Sequence, residues 1–197
     1  MPATIRSKWV EMLWRFEHLR ALQFSRPIMP VDAKNTKMRL LCGADAAAPM
    51  IMVAGWGGFE RTDGSWSCQH LLGRSIMADE NSTIPKLELE GLTGASNMKW
   101  IISKALGDWI DSEVVFGDSR IALCWTTSES KRLSIFHRAR VLQIRRGTSI
   151  DKLFHVRTDH NQCDIGTRPE KLNIASVGPD STWERGGAWM NFDLARQ

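Results

Sequence analysis

The 197-residue chain has no tyrosine and only four cysteines, against nine tryptophans. Cys42, Cys68, Cys124 and Cys163 stand apart with no C-x-x-C pair, which excludes a disulfide-dense scaffold and a zinc-finger arrangement. His160 and Cys163 give two potential ligands, too few for a zinc site. No apolar run approaches the roughly 20 residues of a membrane-spanning helix, and no basic-then-apolar leader opens the chain. The expectation is therefore a protein with reduced thiols and no membrane segment, located inside the cell, in cytoplasm or nucleus. Positive charge is in small excess: 26 Lys and Arg against 22 Asp and Glu give +4, with a sequence pI near 9.0. One stretch lacks acids entirely. Between Ser130 and Ile150 stand Lys131, Arg132, Arg138, Arg140, Arg145 and Arg146, a pattern that fits either a phosphate-binding face or an ordinary solvated helix face. Phe136, Val141 and Ile144 are expected to pack that helix while its arginines face outward.

What the chain does have is four acids in costly places: Asp45 in CGADAAA, Glu88 in STIPKLELEGL, Asp118 in VVFGDSR and Asp164 in HNQCDIGTR. Each stands where a strand is expected to end or on an apolar helix face, where a lone carboxylate is expensive to bury and calls for a metal or a partner. Glu88 makes the argument best. Over residues 84 to 106, Ile84, Leu92, Ala95 and Ile102 recur at three- and four-residue steps, and at about 100° per residue Glu88 falls within their stripe. Glu90 should then face solvent on the opposite side. The competing reading, a carboxylate favoured only by the dipole of a helix start at Thr83 and Pro85, loses weight beside three further acids in matching contexts.

The remaining segments read as strands. Lys37 to Ala44 is an apolar run broken at Asp45, where Ala46, Ala47 and Ala48 leave room for a ligand. Met50 to Phe59 and Trp66 to Met77 are joined through Asp63-Gly64, a strong hairpin signal. Ser112 to Gly117 is short and β-branched and ends on Asp118; Lys152 to Arg157 supplies a fifth strand. Residues 1 to 34 differ: Trp9, Leu13 and Phe16 share one helical face, and the segment Ser25 to Pro30 with its two prolines stops that helix. The expected organisation is a helical extension and linker over 1–34, a domain over 35–177 and a Trp-rich tail over 178–197. Among the tryptophans, Trp56 and Trp125 are expected in the core.

The order strand-acid, two strands, helix-acid, strand-acid, helix, strand, helix-acid resembles ribonuclease H. More narrowly, STIPKLELEGL, DSRIALCWT, FHRARV and HVRTDHNQCDIGTRPEKL resemble the ribonuclease H region of BEL/Pao retrotransposon polyproteins, and WERGGAWM resembles its closing tryptophan pair. The resemblance implies an α/β fold with a five-stranded mixed sheet flanked by helices, preceded by a helical extension like the segment that connects reverse transcriptase to ribonuclease H. It implies hydrolysis of the RNA strand of RNA·DNA hybrids with two Mg2+ ions, Mn2+ being the alternative, about 3.5 to 4 Å apart. Asp45 would bridge both ions, Glu88 and Asp118 would hold one and Asp164 would help hold the other. Arg138, Arg140, Arg145 and Arg146 would grip the hybrid; His160 stands in the loop where the family keeps a histidine, closer to Asp164 than usual, with a surface role the favoured reading. His155 reads as structural. The implied partners are the hybrid and a reverse transcriptase or other polyprotein segment. Two other classes compete: a catalytically silent remnant that binds nucleic acid or protein, and a DDE-type integrase or transposase. The second is disfavoured because the glutamate here comes second, on the first long helix.

Overall fold

The computed structural model describes residues 2–24, 27–79, 81–128 and 133–191. Ser25 and Arg26 of the helix-stopping segment, Lys131 and Arg132 of the basic stretch, and the last six residues lie outside that range.

Five strands form one mixed sheet in the order β3-β2-β1-β4-β5. They are β1 (Met38–Ala47), β2 (Met50–Glu60), β3 (Trp66–Met77), β4 (Ile110–Gly117) and β5 (Leu153–His155). The first three form an antiparallel meander. Gly64 turns the β2–β3 hairpin at φ +82°, a conformation a side chain would resist. β4 runs parallel to β1, and β5 parallel to β4, so their carboxyl ends lie together, where open α/β sheets tend to place ligands. The strand bearing the first acid is longer than the sequence suggests. Asp45 pairs with Met52 within the ladder, and Ala46 and Ala47 after it continue the strand opposite Ile51 and Met50.

Side-chain alternation gives the sheet two cores. Leu40, Cys42, Ala44, Ile51, Val53 and Val115 face one side. There α2 (Ile84–Leu106) packs, backed by α3 (Arg120–Thr127) and α4 (Ile135–Gly147). Leu87, Leu89, Leu92, Ala95 and Ile102 of α2 are buried, whereas Ile84 at its start is exposed. The expected solvent face at Glu90 does not exist, because α4 packs across it and Arg140 Nη2 donates to Glu90 Oε1 at 3.0 Å. Val141 and Ile144 are buried as expected of the α4 packing face.

Leu41, Met52, Trp56, Cys68 and Phe116 face the other side. The short helices α5 (Asp164–Thr167), α6 (Ile174–Val177) and α7 (Thr182–Arg185) and the turn Ala188–Asn191 lie in the chain that returns over it. Trp56 Nε1 donates to the Trp183 carbonyl at 2.8 Å, Trp189 stands edge-on to Phe116 at 4.9 Å, and Met190 is wholly buried. The Trp56 indole is itself fully buried, and Trp125 packs against the helix-side core. Before the sheet, α1 (Ala3–Leu19) carries Trp9, Leu13, Trp14 and Phe16 exposed.

Candidate active site

Asp45, Glu88 and Asp118 come together at the carboxyl ends of β1 and β4. Asp45 shares parity with Leu41, so it leaves the strand on the side where α5 crosses β1. Thr167 Oγ1 donates to Asp45 Oδ2. Asp118 follows the last residue of β4, and Ser119 after it caps α3 by accepting the Ala122 amide at 3.2 Å. Glu88 comes one turn into α2. It lines a cleft of about 970 Å3 together with Asp118, Ser119, Arg120, His155, Arg157, Arg168 and Lys171.

Asn161 ties the strand ends together. Its amide nitrogen donates to the Ala44 carbonyl at 3.0 Å, to Asp118 Oδ1 at 3.2 Å and to Asp45 Oδ1 at 3.5 Å. Asn161 Oδ1 accepts the Cys163 amide at 3.2 Å, so one buried side chain orients two acids and the loop leading to the fourth. Trp189 Nε1 holds that loop from outside, donating to the His160 carbonyl at 2.9 Å and to Gln162 Oε1 at 3.3 Å. Gly187 leaves room for the Gln162 side chain in this arrangement: a Cβ there would stand 2.2 Å from Gln162 Nε2 and displace that amide.

Burial pushes the Asp45 carboxyl above its ordinary range. The Thr167 hydrogen bond opposes this, the charges of Asp118 and Asp164 add to it, and Arg168 opposes it. Glu88 is raised chiefly by burial, against the Ser119 hydroxyl, with Asp118 and Asp45 adding repulsion. Nearby donors thus only partly offset the cost of charge at Asp45 and Glu88, and Asp118 adds its repulsion to both. Oxygen donors of this kind suit a hard divalent cation such as Mg2+, which keeps several of its own waters. Among the described residues, no three His, Cys, Asp or Glu side chains are already gathered closely enough to hold a metal ion. The fit is one of donor chemistry and uncompensated charge around an open cleft.

Asp164 stands apart from the other three. It is buried and accepts from Arg168 Nε on one oxygen and Lys171 Nζ on the other. The α4 arginines divide as well. Arg140 pairs with Glu90, and Arg145 donates to the Thr126 and Ser128 carbonyls, both at 2.7 Å, while Arg138 and Arg146 are exposed. His160 is exposed beside Asp159 at 3.8 Å. His155 is the histidine in the cleft, its Nε2 lying 3.1 Å from the Asp118 carbonyl oxygen. Sequence reasoning passed over Asn161, Thr167, Arg168 and Lys171 as site residues. For two of these a signal existed, since Thr167 and Arg168 follow Asp164 at the three- and four-residue steps that share a helix face.

The family model described as Pao retrotransposon-like RNaseH-like domain matches residues 1–119. That span holds Asp45, Glu88 and Asp118 and ends before Asp164. No curated protein matches the chain. Among solved structures, RNase H1 from the halophilic archaeon Halobacterium salinarum is 14% identical, covering 69% of this chain and 97% of its own, with a TM-score of 0.42. LC11-RNase H1, isolated from compost by a metagenomic approach, is 15% identical over 70% of this chain and 96% of its own, with a TM-score of 0.44. The same enzyme in complex with an RNA/DNA hybrid is 16% identical over 64% and 88%, with a TM-score of 0.39.

Proposed function

Because the chain belongs to the Pao retrotransposon-like, ribonuclease H-like family, we propose that it is a divalent-metal-dependent endonuclease that hydrolyses the RNA strand of RNA·DNA hybrids. The observation that supports this reading is the cleft in which Glu88 and Asp118 face a basic rim, with Asp45 near enough to add its repulsion to Glu88. Asp45, Glu88, Asp118 and Asp164 are the residues that would hold the cations. When bound there, divalent cations supply the charge neutralisation and water activation that phosphodiester hydrolysis requires. The chain's own contributions are positional. Asn161 and Thr167 fix the Asp45 carboxylate, and Asn161 holds Asp118 in register with it. Ser119 sets the backbone where β4 passes into α3. Arg120 and Arg157 border the cleft where a strand of phosphates would run, and Arg138 and Arg146 extend the positive surface along α4.

A second reading, a remnant that binds nucleic acid or protein without turnover, draws support from Asp164, whose charge Arg168 and Lys171 already answer. One assay separates the two. The purified chain is incubated with a labelled RNA·DNA hybrid beside matched RNA·RNA and DNA·DNA duplexes, in Mg2+ or in chelator. Cleavage of the hybrid's RNA strand in Mg2+ alone is the expected result. Cleavage undiminished in excess chelator overturns the metal mechanism, and binding without cleavage favours the remnant.

A further inference from the structure

Arg168 and Lys171 hold an unusual position for surface cations. Both are about half exposed, with side-chain accessibilities of 45% and 53%, and both line the cleft beside Glu88 and Asp118. Yet their charged ends turn inward to Asp164, whose own side chain is only 10% exposed. We propose that Arg168 and Lys171 are resident counter-ions of Asp164 that hold the acid while no metal is bound. When a divalent cation takes over that carboxylate, they are released to grip substrate phosphates in the adjoining cleft. The inference rests on the nuclease reading above.

A buried carboxylate without a partner is costly, so Asp164 needs cations in the metal-free protein. A divalent cation carries the same charge as Arg168 and Lys171 together, so its arrival satisfies Asp164 and leaves two positive side chains in excess at the cleft wall. Each keeps donors beyond the one turned to Asp164, since a guanidinium has five N–H groups and an ammonium three. Arg140 and Arg145 of α4 lack this freedom. Arg140 is tied to Glu90 and Arg145 to two backbone carbonyls, and no step of the proposed reaction removes those partners. Arg168 and Lys171 alone among these four are paired with a group that the chemistry would take from them. Their spacing favours the exchange, because Arg168 lies four residues from Asp164 and Lys171 seven, so both swing from one short segment, α5 and the turn after it.

The test uses the full chain and two binding measurements. Mn2+ alone is titrated calorimetrically, and affinity for a 2′-O-methyl-RNA·DNA hybrid, whose modified strand resists cleavage, is measured against salt with Mn2+ and with chelator. In the wild type the salt slope should steepen when Mn2+ is present by up to about 1.8, two phosphate contacts at about 0.9 each. In the variant carrying Arg168→Gln and Lys171→Gln, Mn2+ should bind severalfold more tightly and the slope should no longer respond to metal. Lys171→Gln alone, which leaves Arg168 on Asp164, should show about half the slope change if the double variant fails to fold. Unchanged or weaker Mn2+ binding in the variants, or a variant slope that still steepens like the wild type's, overturns the proposal. A wild type that binds neither Mn2+ nor hybrid overturns the nuclease reading together with it.

Discussion

Two glutamates two residues apart should respond to the same substitution with opposite signs. Glu88 is raised above the usual carboxylate range by burial, with Asp118 and Asp45 adding repulsion that the Ser119 hydroxyl only partly offsets. An acid raised in the folded state stabilises the fold when protonated, and that contribution is lost as pH rises through its folded value. Above that value the ionised Glu88 works against the metal-free fold. Glu88→Gln should raise the thermal midpoint in chelator while lowering hybrid cleavage in Mg2+ at least about 100-fold, as deleting one electrostatic contact to a transition state does. Glu90 is different: its 3.0 Å pair with Arg140 has side chains 28% and 35% exposed. Such a pair contributes about 0.2 to 1 kcal/mol, so Glu90→Gln should lower the midpoint by no more than about 4 °C in a chain of this size and leave cleavage near wild type. Differential scanning fluorimetry in chelator and a gel cleavage assay read both effects. A Glu88→Gln protein less stable than Glu90→Gln, or a Glu90→Gln protein that is the inactive one, would refute the reasoning.

The α4 arginines should separate in the same manner. Arg146→Gln should reduce the salt slope of hybrid binding by about 0.9 without loss of stability, whereas Arg145→Gln, which strips donors from two backbone carbonyls, should cost about 1 to 3 kcal/mol in a urea titration. Equal effects of the two on the slope would contradict this division. Met190→Ala should cost about 2 to 5 kcal/mol, because its side chain fills the second core; a denaturation midpoint within error of wild type would remove the C-terminal turn from that core. Burial pushes the Glu113 carboxyl upward, but hydrogen bonds from Lys99 and Ser103 and the Lys99 charge outweigh it and hold the group below its usual range. Its stabilisation is thus complete above the unfolded value, near pH 4.3, and disappears as pH falls through the folded one. Glu113→Gln should flatten the acid limb of the stability profile; an unchanged acid limb would show the pair to be inert.

The sequence spoke clearly wherever short-range pattern decides structure. The Asp63-Gly64 hairpin, the boundaries of β3 and the long helix carrying Glu88 follow from alternation, turn chemistry and 3.6-residue recurrence. Those same rules could not show that α4 covers Glu90, since that depends on how two helices 50 residues apart are stacked. Asp45 was legible as an acid in an apolar run, but not as a residue inside a ladder, because alanines permit strand and loop alike. Asn161 was invisible as the clasp between Asp45 and Asp118, since its bonds span 116 and 43 residues. His155 read as structural on account of its strand, while its closeness to the Asp118 carbonyl comes only from the pairing of β4 with β5. Short-range pattern found the acids; the groups that orient them belong to the tertiary fold.

The return of the chain over the second sheet face also sets a clock. Trp56 acquires its carbonyl partner from Trp183 only 127 residues later, and Gln69 meets Glu184 after 115. At translation rates of about 5 to 20 residues per second, that separation takes on the order of 6 to 25 s. The helix-side core draws on residues no later than Leu153 and so could close while the far end is still being made. Until the residues around Met190 emerge, Trp56, Met52 and Phe116 lack their cover, and the nascent domain presents a half-finished sheet whose exposed side is the one that α5 and Asn161 need in place to set Asp45 and Asp118.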